Sequence, residues 1–288
     1  MSDRLFVRLH EDPTQGPESE APAGTLRTLA FDASLSPHVA HVLAYREDIA
    51  PGCDVTERVL PDGALRLVFN LGASVSGDRT PSALLIGAHA SPVTVRLHGA
   101  IDGLSITLGP GATQALFGTP AGEIASHTVP LEVFWRGDAQ RLLEQLANAA
   151  DDTVRMHALQ TVMQRHLQGV DTTALALVNR ASALLRGAEG AVGVRGVASM
   201  VGVGERRLQQ LFHAHVGLSP RTVGRLARLH GMLRALRRQA ARPAWAALAA
   251  DGGYYDQAHL ANEFRALCGM TPGEFMRRTT SPSSKTAA

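Results

Sequence analysis

Leu208-Gln209-Gln210-Leu211-Phe212-His213-Ala214-His215-Val216-Gly217-Leu218-Ser219-Pro220 is echoed 52 positions later by Leu260-Ala261-Asn262-Glu263-Phe264-Arg265-Ala266-Leu267-Cys268-Gly269-Met270-Thr271-Pro272. Leu208, Phe212, Gly217, Leu218, Ser219 and Pro220 align with Leu260, Phe264, Gly269, Met270, Thr271 and Pro272. Both segments therefore spell an amphipathic helix, a stop at glycine and the start of a further helix. A hydroxyl residue followed by proline starts a helix firmly, because the hydroxyl caps a backbone N–H and proline has none to satisfy. Two copies of one small unit imply a ligand whose surface repeats. B-DNA is such a ligand, since its major groove returns to the same face every ~34 Å.

Upstream of the first copy, Val197, Ala198, Val201 and Val203 stand at helical spacing before Leu208, Leu211 and Phe212. Two short helices would share an apolar seam there, with Gly202 allowing the sharp turn and Ala198 the close crossing, which is the pattern of a helix-turn-helix. The second copy has Leu248 and Ala249, then Gly253, Tyr254 and a helix from about Asp256, so its turn is one residue longer. Charge divides the chain. From residue 171 onward there are 16 Lys and Arg against 7 Asp and Glu, whereas residues 1–170 carry 12 against 19. Arginine is almost the only cation of the basic half, and its planar fork suits phosphate and guanine edges. Arg221, Arg225, Arg228, Arg234, Arg237 and Arg238 fall on the long helix expected between the copies, a connector able to meet the DNA backbone.

Residues from about 175 to 278 resemble the DNA-binding domain of the AraC/XylS family of bacterial transcription regulators. The stretch from Gly253-Tyr254-Tyr255-Asp256-Gln257-Ala258-His259-Leu260 through Gly269-Met270-Thr271-Pro272-Gly273-Glu274-Phe275 carries the likeness. The resemblance implies seven helices in two subdomains joined by a long helix, with the third and sixth entering adjacent major-groove segments. It places base contacts at Arg206, Gln209 and Gln210 on the first reading helix, with Glu205, Arg207 and His213 nearby, and at Gln257, His259, Ala261 and Asn262 on the second. Gln and Asn pair with adenine and Arg with guanine, each good pair giving about 1–3 kcal/mol of discrimination. The chain departs from the family at Gly204, a weaker cap than Ser or Thr, and at Gly252, where bulk is usual. Ala261 and Asn262 are shorter than their counterparts, so Arg206 and Gln209 are expected to dominate specificity.

The first half reads as α+β material. Residues 1–23, rich in Pro, Gly, Glu and Ser, read as a disordered tail. Period-two alternation follows: Val93, Val95 and Leu97 against Thr94, Arg96 and His98; Leu65, Leu67 and Phe69 against Arg66, Val68 and Asn70; then Leu104, Ile106 and Leu108. Pro61-Asp62-Gly63, Asn70-Leu71-Gly72 and Gly109-Pro110-Gly111 mark turns. A small β-sandwich or barrel is expected, followed by helices carrying Leu142, Leu143, Leu146, Met156, Leu159, Val162, Met163 and Leu167. The expected division is a β-rich sensing or assembly domain over 24–170, an all-α domain of about seven helices with two helix-turn-helix units over 171–278, and a disordered tail over 279–288. Leu60-Pro61-Asp62-Gly63, Leu67-Val68-Phe69-Asn70-Leu71-Gly72, Ile86-Gly87 and Gly109-Pro110-Gly111-Ala112 resemble a module found before AraC-type domains. That resemblance implies a small-molecule effector and a dimerising helical element, with Arg66, Asn70, Arg96 and His98 as candidates to face the effector.

Catalytic residues, metal and cofactor are not expected. His38, His41, His89 and His98 invite a cupin-like metal enzyme, but no carboxylate stands among them at suitable spacing. Cys53 and Cys268 form no ligand pattern, and Cys268 reads as a small core residue. No apolar run approaches the ~20 residues of a membrane span, and no signal peptide follows Met1-Ser2-Asp3-Arg4. The expected protein is a cytoplasmic, effector-responsive regulator of double-stranded DNA working with RNA polymerase, as a monomer or homodimer. Its rivals are an architectural DNA-binding protein and the metal enzyme.

Overall fold

The computed structural model describes residues 2–7, 18–19, 21–72, 82–169, 171–187, 192–238 and 244–279. Ten strands lie among these residues: β1 (Ser2–Val7), β2 (Glu18–Ser19), β3 (Leu26–Leu29), β4 (Val39–Asp48), β5 (Val55–Val59), β6 (Leu65–Asn70), β7 (Ser82–Ile86), β8 (Val93–Leu97), β9 (Ala100–Leu108) and β10 (Thr128–Pro130). They form a four-stranded sheet, β2-β1-β5-β8, and a six-stranded sheet, β10-β7-β6-β9-β4-β3. Helices α1 (Ala112–Phe117), α2 (Ala121–Ile124), α3 (Glu132–Trp135), α4 (Gly137–Ala147) and α5 (Asp152–His166) complete the N-terminal half. The expected α+β sandwich with following helices is present.

Alternation along β6 gives the six-stranded sheet two different faces. Leu65, Leu67 and Phe69 turn to one side with Leu104, Ile106 and Leu108 of β9, and pack into one core with Leu142, Leu143 and Leu146 of α4 and Met156, Leu159, Val162 and Met163 of α5. Arg155 of α5 ties the two layers with a paired contact, its Nη1 and Nη2 donating to the Asp102 carboxylate on β9 at 2.8 and 2.7 Å. Burial alone would raise the Asp102 carboxyl pKa; Arg155, with Arg46 in smaller measure, outweighs that and holds it below the usual carboxylate range. The opposite face, with Arg66, Val68 and Asn70, looks toward the smaller sheet.

The N-terminus differs from expectation. Ser2–Val7, read as part of a disordered tail, forms a strand parallel to β5, with Ser2 opposite Val55 and Phe6 opposite Val59. Leu5 and Val7 are buried against the C-terminal domain, and Arg4 donates to both oxygens of Glu47 at 2.7 and 2.6 Å. A six-residue strand whose partner lies some fifty positions away has no local signal strong enough to stand out from the Pro- and Gly-rich residues after it. Residues 8–17 and 280–288 of the two expected tails lie outside the described residues.

Among the described residues seven helices follow: α6 (Thr172–Gly187), α7 (Val194–Met200), α8 (Glu205–His215), α9 (Pro220–Arg238), α10 (Trp245–Asp251), α11 (Gln257–Cys268) and α12 (Pro272–Thr279). Val197, Ala198, Val201, Leu208, Leu211 and Phe212 share a first core with Val178 and Leu185 of α6. Leu248, Ala249, Tyr254, Leu260, Phe264 and Phe275 share a second with Leu229, Met232 and Leu233 of α9. The turns are made at Gly202 (φ 75°) and Gly253 (φ 69°), a left-handed conformation that favours glycine. Ser219 caps α9 through Thr222 N at 3.1 Å. Thr271 and Glu274 cap α12 reciprocally, Glu274 N donating to Thr271 Oγ1 and Thr271 N to Glu274 Oε2.

Candidate nucleic-acid interface and interior cavity

The first reading helix, α8, starts at Gly204, which supplies no side-chain cap. Glu205, Arg206, Arg207, Gln209 and Gln210 are exposed around Leu208, which is buried, so the amphipathic pattern delivers five polar side chains to one accessible surface. The second, α11, is capped by Asp256, whose Oδ1 accepts from His259 N at 2.7 Å. Gln257, His259 and Asn262 are exposed and Ala261 is half-buried. His259 has a structural duty as well: its Nδ1 accepts from Tyr255 N at 3.2 Å and its ring meets the edge of Tyr254. Tyr255, 93 % exposed in the turn before α11, is an accessible aromatic that sequence reasoning did not single out. Its signal is an aromatic directly after buried Tyr254, whose hydroxyl pKa burial pushes up to about 12.

His213 is placed differently from the other candidates. It sits at the far end of α8, where its ring lies over Gly122 of α2; a Cβ on Gly122 would come within 2.3 Å of His213 Nε2. The helix end is docked on the N-terminal domain, with Gly111 N donating to His215 O at 2.8 Å. Burial holds the His215 pKa below the ordinary histidine value; Asp171 raises it in smaller measure and Arg207 lowers it. A folded-state pKa below the unfolded value of about 6.5 means this group's stability is complete above that pH and is lost as pH falls through the lowered folded value. Burial shifts His38 in the same direction. Thermal melts between about pH 7 and pH 5 are expected to show a falling Tm, with a shallower fall in His215→Gln. An unchanged slope would show that His215 titrates alike in both states.

The arginines of the connector helix are unequally placed. Arg221 is exposed, but Arg225 donates to both oxygens of Glu263 on α11, from Nε at 2.8 Å and Nη2 at 3.0 Å, and Arg228 and Arg234 are half-buried. The side chains of Arg237 and Arg238 lie outside the described residues. The N-terminal domain also packs along α9. Buried His230 Nε2 lies 3.0 Å from Pro61 O, and Leu5, Val7 and Leu60 enter the second core beside Leu229 and Leu233. Arg58 of β5 donates to Gly269 O at 2.8 Å, gripping the end of α11.

Between the two sheets lies a cavity of about 440 Å³. Arg66 and Asn70 line it, whereas Arg96 and His98 do not: Val93, Val95 and Leu97 of β8 point inward, which turns Arg96 outward and leaves His98 past the strand end. The other histidines are dispersed, with His41 Nε2 at 2.7 Å from Thr107 Oγ1 and His89 Nδ1 at 2.7 Å from Ser91 O. Among the described residues no three His, Cys, Asp or Glu side chains converge as a metal site. Cys268 is buried in the second core, which pushes its thiol pKa up, and Cys53 is exposed. No helix among the described residues is long and apolar enough to cross a membrane.

Residues 197–278 match a family described as "Helix-turn-helix domain", and residues 28–130 match a "Domain of unknown function (DUF6597)". No curated protein matches the chain. Among solved structures, ToxT from Vibrio cholerae is similar at 11 % identity and a TM-score of 0.44, over 83 % of this chain and 98 % of that one. Unsaturated fatty acid bound ToxT is similar at 11 % identity and 0.43, over 82 % and 94 %. ToxT bound to (E)-4-(8-methylnaphthalen-1-yl)but-3-enoic acid is similar at 10 % identity and 0.43, over 89 % and 100 %. The match over 197–278, the doubled helix-turn-helix and the signature through Phe275 together make the C-terminal half an AraC-type DNA-binding domain of a transcription regulator, carried behind a DUF6597 domain.

Proposed function

We propose that the chain is a sequence-specific, double-stranded-DNA-binding transcription regulator whose N-terminal domain receives a small effector in the cavity between its sheets. The sensing unit is residues 24–170 together with β1, and the DNA-reading unit is residues 171–278. One observation supports the coupling above all: the sheet β2-β1-β5-β8 has the cavity on one face and the second helix-turn-helix on the other. Along β1, Phe6 lines the cavity while Leu5 and Val7 sit in the core shared with α9, α11 and α12. Along β5, Glu57 and Val59 line the cavity while Arg58, between them, holds Gly269 at the end of α11. Whatever moves these strands from inside also moves the mounting of the second reading helix. A ligand biases the equilibrium by its differential affinity for the two placements. The output is promoter occupancy and contact with RNA polymerase, by one copy or a homodimer, with no catalytic step.

Selection of random duplexes on the full chain tests the first part, since a base-reading regulator enriches a motif and an architectural protein enriches none. For the second part, Val68→Trp fills the cavity from β6, away from both reading helices. It is expected to change affinity for the selected operator by roughly fivefold or more. Unchanged affinity in a folded Val68→Trp protein would contradict the effector reading while leaving DNA recognition intact.

A further inference from the structure

Charge on the cavity wall restricts what can enter it. Among the described residues four carboxylate or guanidinium side chains line it, Arg46, Glu47, Glu57 and Arg66, two of each sign, with the imidazoles of His89 and His127 beside them. Glu47 is held by Arg4 through both oxygens, and Arg66 donates to the Asp62 carboxylate, which also accepts from Ala64 N at 3.0 Å. Arg46, at the exposed rim, faces Asp102 at 3.4 Å, and Glu57 is engaged as well. Among the described residues the wall thus carries equal numbers of each sign, with Glu47 and Arg66 each matched by an opposite charge, and favours neither an anion nor a cation. Burying an unpaired carboxylate or ammonium in such a place is costly, because its hydration is lost and nothing replaces it.

The remaining surface is mostly aliphatic, with Leu43, Val59, Val68, Leu84, Ile86 and Val95 among its residues. One uncharged polar group is built into it. Tyr45 of β4 and Asn70 of β6 lie opposite Gly103 of the intervening strand β9, and Tyr45 Oη reaches across to donate to Asn70 Oδ1 at 2.6 Å. Gly103 makes that crossing possible: a Cβ there would stand 2.4 Å from Tyr45 Oη and 2.2 Å from Phe69 O. Asn70 Nδ2 donates in turn to Ser82 Oγ at 3.1 Å. Burial raises the Tyr45 pKa, so the phenol stays neutral and keeps its proton. Ser105, two positions beyond Gly103 on the same face of β9, adds a hydroxyl to the wall.

We infer that the cavity takes an uncharged, largely apolar small molecule carrying one hydroxyl or carbonyl group, seated at Tyr45, Asn70 and Ser105. The inference rests on the effector reading above and adds the ligand class to it. The test is calorimetric titration of the full chain with n-decanol, decanoate and n-decylammonium, three probes with one chain and three charges, each followed by measurement of operator affinity. The alcohol is expected to bind roughly tenfold or more tightly than either ion. Tyr45→Phe should cut the alcohol's affinity several-fold, and Asp62→Asn, which strips Arg66 of its carboxylate, should raise decanoate binding roughly tenfold. An ion that binds as tightly as the alcohol in the wild type overturns the ligand class and leaves the effector reading standing. Binding of the alcohol with operator affinity unchanged contradicts the effector reading and leaves the ligand class standing. No binding by any of the three overturns the inference.

Discussion

Arg206→Ala is expected to relax discrimination at one base-pair position of the operator by about 1–3 kcal/mol, while affinity for unrelated DNA falls only slightly. Arg206 stands exposed in the first turn of α8, one turn before exposed Gln209 and Gln210. The guanidinium can reach N7 and O6 of a guanine together, so truncation removes a paired contact rather than a general attraction. Competition between the operator and single-base variants measures it. Asn262→Ala on α11 is expected to cost less, because that helix offers short Asn262 and half-buried Ala261, and His259 already serves the turn before it. Equal loss of affinity on all sequences after Arg206→Ala would make Arg206 a phosphate contact and the account of readout wrong.

Phe264→Ala is expected to destabilise the protein by about 3–5 kcal/mol, a large share of the 5–15 kcal/mol typical of a folded domain. Phe264 is fully buried at the centre of the second core, with the Phe275 ring 5.6 Å away edge-on. Leu5, Val7 and Leu60 belong to the same core, so the damage should reach the N-terminal domain. Denaturant melts give the magnitude, and hydrogen exchange should show faster opening of β1 amides as well as those of α11. A loss below about 1 kcal/mol would mean the site collapses around the missing ring far better than its packing suggests.

What the sequence disclosed was local and periodic. Leu208, Phe212, Leu260 and Phe264 mark their helices at spacings set by the helix itself, and Ser219, Asp256 and Thr271 mark their starts through bonds made within three residues. The joints between domains carried no such signal. Arg58 with Gly269 and His230 with Pro61 pair residues 211 and 169 positions apart, and any exposed-looking Arg or His could have served. That is why the docking of the N-terminal domain on α9 and α11 went unread, and why β1 read as a tail.

The cavity shows a subtler failure. Period two sorts a strand into two faces without saying which face looks where. On β6 the apolar set packs on helices and the polar set, Arg66 and Asn70, lines the cavity; on β8 the apolar set lines it and Arg96 points away. Polar alternation therefore picked out two cavity residues and, by the same rule, added Arg96 and His98, which do not line it.

Guanine-N7 methylation interference with the full chain on its selected operator tests the central claim most directly, because N7 lies in the major groove where α8 and α11 are held to enter. Two clusters of interfering guanines about one helical turn apart, on one face of the duplex and stronger in the α8 cluster, are the predicted result. A single cluster, or binding indifferent to N7 methylation throughout, would contradict two groove-reading helices of unequal weight.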